Sequence, residues 1–522
     1  NMSKSRQAAK SAFIIVVFTL VSKFLGFLRE ILIAAKFGSG METDTFFVAL
    51  TATGIVTGFL SNAVSTTFIP ILSEIESKEG KKGKLEHTNN ILNSMFFISL
   101  ILVFISWVGA PVIIRLLAKG FEGEQFNLAV RLTRIGLPMI LFSGIIGTFT
   151  GYLQSEERFL SSSAIGVPFN FVYIFFLIFF SDKFGIKGLM AAAVLAVISQ
   201  YIIQIPEAKA AGYKYEFKFN IRDKYIKKVI VLSLPVLVSV VINDIGAIID
   251  RTLASDLSTG SISALNYANK LNGFILGVFI SAITTVIFPI LSKASSENNI
   301  SGLKKVMRYG VNFILMITVP ATVGLAVLAK PIVEVAFERG VFDSTATVMT
   351  SQALMAYSIG LVGMALQLLL NRVYYSLQDT KTPMLIGGIG VGIDIVLNII
   401  LVKFMAHIGL ALSTSIGAIA ASIMLLYGVK KKIGSLGIKG YIVTFTKTGL
   451  ASAVMGAAVY LIYHGLYEML EVSKLYNLIS LLAAVGLGVI IYGILCYAFK
   501  VEEVRDMVAR IRKTNILHRN KA

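Results

Sequence analysis

The chain has 522 residues, 56% of them hydrophobic and 15% charged, with a mean hydropathy of +0.78, which is too apolar for a soluble domain. Its formal charge of +19 sits mainly in short loops between apolar runs, so the basic balance reads as membrane topology and not as a nucleic-acid surface. One cysteine, Cys496, and four scattered histidines, His87, His407, His464 and His518, exclude disulfides and a Cys/His metal site.

Lys4, Arg6 and Lys10 precede the first apolar block, which outruns a signal-peptide core and lacks a small-residue cleavage pattern, so it is expected to remain as a transmembrane helix. Successive blocks of about 20 residues or more are long enough to cross a ~30 Å hydrocarbon layer as helices. Barrel strands would be shorter and would alternate. Helices are predicted at 9–36, 44–73, 90–117, 127–152, 159–181, 185–205 and 228–255. A second set follows at 263–291, 304–335, 345–376, 383–403, 407–429, 440–466 and 475–499, giving 14 transmembrane helices in an all-α polytopic membrane protein. With a cytoplasmic N-terminus, 25 Lys and Arg fall on the cytoplasmic side against 9 outside, which places both termini in the cytoplasm.

An internal repeat organises these helices. FIPILSEIESKEGKKGKL (68–85) resembles IFPILSKASSENNISGLKKV (287–306), and Arg29 with Arg251, Gly38 with Gly260 and Gly188-Leu189 with Gly409-Leu410 keep offsets of 219 to 224 residues. Six helices per copy make the copies parallel, with a substrate site expected between an N-lobe (1–206) and a C-lobe (228–429). The basic segment 207–227 links the lobes, 430–500 holds two extra helices, and 501–522 has an amphipathic stripe of Val501, Val504, Met507, Val508 and Ile511, expected on the membrane surface.

Charges inside apolar blocks are the functional clues, because a buried ionisable group costs roughly 2.5–3.5 kcal/mol on insertion scales and so faces a bundle interior or a wet cavity. The first helix carries Lys23, Arg29 and Glu30, with Gly26 between them; Asp44 opens the second, the seventh holds Asp244, Asp250 and Arg251, and the eighth holds Lys270. Converging, Lys23, Arg29, Arg251 and Lys270, balanced in part by Glu30 and Asp44, would make a cationic cavity suited to a pyrophosphate. Set against this, Arg29–Glu30 reads as a structural ion pair, Asp44 as a helix cap, Lys23 and Lys270 as snorkelling lysines, and Arg251 as an external helix end. Arg372, Asp379 and Lys381 read as a solvated loop. Gly54, Gly58, Pro138, Gly144, Gly147, Gly151, Pro235, Gly246, Gly273 and Gly277 are expected to permit bends or close helix contacts.

SKFLGFLREILIAAKFGSGMETDTFFVA (22–49), FIPILSEI, NYANKL with FPILSK, and YSIGLVGMALQLLLNRVYYSLQDTKTP (357–383) resemble the MurJ/MviN family of lipid II flippases, within the multidrug/oligosaccharidyl-lipid/polysaccharide exporter superfamily. The resemblance implies transfer of an undecaprenyl-diphosphate-linked peptidoglycan precursor from the inner to the outer leaflet by alternating access. It implies a cationic cavity for the diphosphate and a lipid groove at the last two helices. Arg29 and Glu30 match the family's Arg–acid pair, Asp44 its second-helix acid, and Lys23 and Lys270 stand where arginine is frequent. Thr57 stands about where many members carry a second-helix arginine, which leaves teichoic-acid and capsule precursors as alternative substrates.

Two other readings compete. A drug antiporter on this fold would use Asp244, Asp250 or Asp394, and a polyprenyl-phosphate-sugar glycosyltransferase would use the acid-x-acid run Glu42-Thr43-Asp44; the excess of cations opposes the first and the absence of large external loops the second. The protein is therefore expected not to be an enzyme and to have no cofactor or metal, with coupling to the membrane potential or a monovalent cation. Its expected partners are a lipid-linked oligosaccharide diphosphate and membrane lipids, and it is expected to be a monomer in the bacterial cytoplasmic membrane.

Overall fold

The computed structural model describes residues 2–469 and 474–505, and every regular element among them is helical. The chain forms two compact units, one of 1–266 with 339–343 and one of 267–338 with 344–522. Eight helices among the described residues are long and apolar enough to cross a membrane, or nine if Ser344–Ile359 and Leu361–Ser376, bent by 46°, are one span. From residue 506 onward the expected amphipathic tail lies outside the described residues.

The first unit contains α1 (Met2–Phe37), α2 (Met41–Leu117), α3 (Gly123–Gly136), α4 (Pro138–Ser155), α5 (Leu160–Ala164), α6 (Gly166–Phe179), α7 (Ser181–Ala210), α8 (Lys224–Ser255) and the start of α9 (Ser261–Ile275). α2 is two helical arms meeting at Gly80, whose φ of 72° only glycine adopts without cost; the arms correspond to the predicted helices at 44–73 and 90–117. The core of this unit joins α2, α4 and α8 through Phe68, Leu72, Ile91, Phe149, Leu153 and Ile226. Gly151 makes that contact close, since a Cβ there would stand 2.9 Å from the Phe68 ring. Small residues matter here because lipid offers apolar side chains as good a solvent as the bundle does, leaving close packing to hold helices together.

The second unit continues through a π-helical turn (Leu276–Ile280), α10 (Ser281–Ser296), α11 (Ile300–Val327), α12 (Ala329–Phe337), α13 (Ser344–Ile359), α14 (Leu361–Ser376), α15 (Lys381–Ile433), α16 (Ile438–Met469) and α17 (Lys474–Ala498). α15 breaks at Ala406, with φ 48° and ψ −131°, between the predicted helices 383–403 and 407–429. Its core packs α10, α11, α14 and α15 through Leu291, Met307, Leu369, Tyr374 and Leu425.

The left-handed backbone positions repeat. Gly38, Gly80, Gly123, Glu157, Gly185 and Gly212 have positive φ, and Gly260, Asn298, Gly340, Gln378, Ala406 and Gly434 have it 217 to 222 residues later, each in the same order. A left-handed residue stops a helix by turning the chain away from its axis. Both halves therefore interrupt their helices at matching places, in three of the six pairs without glycine at both positions.

Candidate functional site

Arg29 and Glu30 are adjacent on α1, and tertiary contacts fix both. The Arg29 guanidinium donates from Nη2 to Glu30 Oε1 at 2.8 Å and from Nη1 to Asn170 Oδ1 at 3.0 Å. Asn170 is buried on α6, and its amide is oriented because Nδ2 donates to the carbonyls of Ser22 at 3.2 Å and Gly166 at 2.8 Å. Phe169 and Tyr173, one helical turn apart, place their ring centres 5.5 and 5.1 Å from the guanidinium carbon. α6 reaches α1 this closely at Gly166, where a Cβ would lie 2.6 Å from Ser22 Oγ.

This group forms one wall of a cavity of about 450 Å³ within the first unit. Thr53, Thr57, Ser143 and Gln200 supply neutral polar groups, Phe46, Phe47, Phe169 and Tyr173 aromatic ones, and Gly54 and Gly58 face open space. Its lining carries one cation, Arg29, and one anion, Glu30, so this wall is formally neutral. Glu30 is 3% exposed, and a buried carboxylate without partners would be costly. Its second oxygen accepts from Asn266 Nδ2 at 3.4 Å, and Asn266 Oδ1 accepts from Arg251 Nη2, also at 3.4 Å. Arg251 further donates to the Ile262 carbonyl at 3.3 Å.

The remaining expected residues lie elsewhere. Lys23 is exposed on α1, two turns before the pair, and is not among the cavity-lining residues. Asp44 is buried and caps α9: it accepts from the Gly260 and Ser263 amides at 2.7 and 2.8 Å and from the Ser263 hydroxyl at 2.6 Å. It thus caps a helix distant in sequence, while Ser39 donates to the Gly260 carbonyl and the Val341 amide donates to the Ala35 carbonyl in the same region. Lys270 belongs to the second unit and is exposed on α9.

The competing constellations separate. Glu42 is exposed in another cleft with Glu124, Arg131 and Lys187, while Asp44 is committed to α9, so the acid-x-acid run presents no paired carboxylates. Asp244 and Asp250 lie half-buried on α8, and Asp394 is buried on α15, where it accepts from Asn398 at 3.4 Å. The sequence reading missed Asn170, Phe169 and Tyr173. The available signal was a single amide inside the apolar run GVPFNFVYIFF, since an isolated polar side chain in a membrane helix seeks a partner on another helix.

Comparison with known proteins agrees with this geometry. The family described as lipid II flippase MurJ matches residues 33–480. A probable lipid II flippase MurJ of Vibrio cholerae serotype O1 is 30% identical over 94% of this chain and 96% of its own, and one of Rickettsia prowazekii is 27% identical over 94% and 98%. A structure of lipid II flippase MurJ in an inward closed conformation superposes with a TM-score of 0.78 at 27% identity, covering 95% of this chain and 100% of that one. An inward-facing multidrug resistance MATE transporter of the MOP superfamily shares the fold, at a TM-score of 0.67 and 15% identity over 81% of this chain and 98% of that one. The chain therefore belongs to the lipid II flippase MurJ family.

Proposed function

We propose that this protein moves lipid II from the inner to the outer leaflet of the bacterial cytoplasmic membrane by alternating access, with the headgroup diphosphate engaging Arg29. The observation that carries this is the Arg29 guanidinium, held by Asn170 and Glu30 in the wall of a polar and aromatic cavity. A planar fork held in place can meet phosphate oxygens without first ordering itself. The threonine, serine and glutamine groups suit sugar hydroxyls, and the aromatic rings suit the apolar faces of sugars. An organic cation would instead need an uncommitted carboxylate, and Glu30 already has Arg29 and Asn266 as partners. Thr57 in the wall, with arginine absent from the second helix, keeps teichoic-acid or capsule precursors as the second reading.

In this reading the chain has 14 spans, arranged as two parallel six-helix repeats and a C-terminal pair, with both termini in the cytoplasm. Support comes from the six left-handed positions that recur after 217 to 222 residues, because an even number of helices separates corresponding positions of parallel copies. Lys23, Arg251 and Lys270 would complete the cationic surface for the diphosphate, and Asp44 would hold the outer end of α9. The protein would act as a monomer, driven by membrane potential or a monovalent cation, since a unit charge crossing the membrane is worth about 2.3 kcal/mol per 100 mV.

The test is depletion and replacement in cells that hold no other flippase, measuring lipid-linked precursor in each leaflet. Depletion should trap lipid II in the inner leaflet, wild type should restore it outside, and Arg29→Ala should not. Normal outer-leaflet lipid II in depleted cells would overturn the reading, and trapping of a different lipid-linked polysaccharide would favour the second.

A further inference from the structure

The connection between α7 and α8 shows an alternating pattern, Lys214-Tyr215-Glu216-Phe217-Lys218-Phe219-Asn220-Ile221-Arg222. Three asparagines at the start of the second arm of α2 hold it. Asn89 donates to the Lys214 carbonyl at 2.9 Å and accepts from the Tyr213 hydroxyl at 2.6 Å. Asn90 donates to the Asn220 carbonyl at 3.1 Å and accepts from the Asn220 amide at 2.6 Å. Asn93 donates to the Lys218 carbonyl at 2.9 Å and accepts from the Tyr215 hydroxyl at 2.9 Å. At its far end Asp223 accepts from the Tyr225 amide at 2.7 Å and meets His87 at 3.1 Å. The segment therefore has no regular secondary structure, yet its backbone is tied at four points.

Such ties would bury apolar side chains in an ordinary loop, but these remain uncovered. Tyr215, Phe217, Phe219 and Ile221 are all 44 to 67% exposed. Phe219 lies 4.6 Å, ring to ring, from Phe97, and from there Phe97, Ile101, Phe104 and Val108 form an exposed apolar stripe along α2. Residues spaced by four, three and four occupy one helical face, and this stripe rises over about 16 Å, much of one leaflet. The aromatic segment thus continues the lipid-facing surface of α2 where the helix changes from apolar to polar. Lys214, Lys218 and Arg222 are exposed beside it and form no ion pair among the described residues.

We propose that residues 214–222 are an interfacial anchor, which sets Tyr215, Phe217, Phe219 and Ile221 into the bilayer boundary and Lys214, Lys218 and Arg222 against anionic phospholipid headgroups. Aromatic rings favour this boundary and basic side chains favour an anionic leaflet. The asparagine clasp supplies what a free loop lacks, namely backbone amides and carbonyls already satisfied before the side chains enter the low-dielectric layer. The inference depends on the membrane location of the chain and not on its substrate.

Phe217→Trp in a Trp107→Phe background gives the full-length protein a single tryptophan at the proposed anchor. In phosphatidylglycerol vesicles its emission should shift to shorter wavelength, and a spin-labelled lipid bearing its label near the headgroup should quench it several-fold more than a label deep in the chain. Lys82→Trp in the same background, in the polar loop, should be quenched by aqueous acrylamide and not by lipid. The variant Lys214→Gln/Lys218→Gln/Arg222→Gln with Phe217→Trp should lose most of the difference between phosphatidylglycerol and phosphatidylcholine vesicles. A Phe217→Trp signal as accessible to acrylamide as the Lys82→Trp control would overturn the anchor, as would burial seen only after addition of a soluble acidic protein. Equal quenching in both lipids would overturn its anionic preference. Ile221→Trp reports the same boundary if Phe217→Trp fails to fold, with folding read from melting in detergent.

Discussion

Arg29 is held by groups of different kinds: a carboxylate from its own helix, an amide from α6, and two aromatic rings. None of these alone fixes a guanidinium, but together they set its plane. Arg29→Lys would keep the charge and lose the fork. Asn170 is the partner whose loss is most informative, because its own amide is oriented by two backbone carbonyls. A hydrogen bond to a charged group contributes about 1.5–3 kcal/mol. Asn170→Ala should therefore lower stability in detergent by about that amount and reduce cellular complementation. Wild-type melting together with full complementation by Asn170→Ala would show that the amide does not position Arg29. The pairing of Arg29 with Glu30 was legible from their adjacency; the amide was not, because Asn170 lies 141 residues away on another helix.

The elements are stopped and joined by small polar devices. Asp379, in the turn between α14 and α15, shows how one works. Burial pushes its carboxyl up, but Lys432 at 2.6 Å and the Thr382 hydroxyl and amide outweigh this and hold it well below the usual carboxylate range. The loop is thus an ion-paired clasp between the two ends of the broken α15, where a solvated loop was expected. A carboxylate with a lowered folded-state pKa contributes stability above its unfolded pKa, near 4, and loses that contribution as pH falls through the folded-state value. The wild type should accordingly lose thermal stability as the pH drops below about 4, and Asp379→Asn should be less stable at neutral pH and flatter across that range. An unchanged pH profile in Asp379→Asn would discount the clasp.

At the scale of the whole molecule, the duplication sets the membrane topology. Matching left-handed positions lie in successive connections, so Glu122 and Asn298 should face opposite sides of the membrane. With Cys496 replaced by alanine, a cysteine at Glu122 should react with a membrane-impermeant maleimide in intact cells. One at Asn298 should react only after permeabilisation. The reverse pattern would invert the proposed orientation, and equal labelling of both would argue against an even number of spans between equivalent points.

Membrane residence and an all-helical fold follow from the sequence alone, since apolar blocks of bilayer length must satisfy their backbone hydrogen bonds internally and a single helix does so without partners. The duplication was legible for a similar reason, as helix-stopping positions and the motifs beside them are local. What tertiary structure decided was the use of each charge. Arg29 and Glu30 enter a cavity wall because α6 and Asn266 come to meet them, whereas Asp44 serves the N-terminus of α9. Lys23, on the same helix as Arg29, stays exposed. A side chain's chemistry is written in its own position; its partner is set by helices distant in sequence, through contacts that no local pattern encodes.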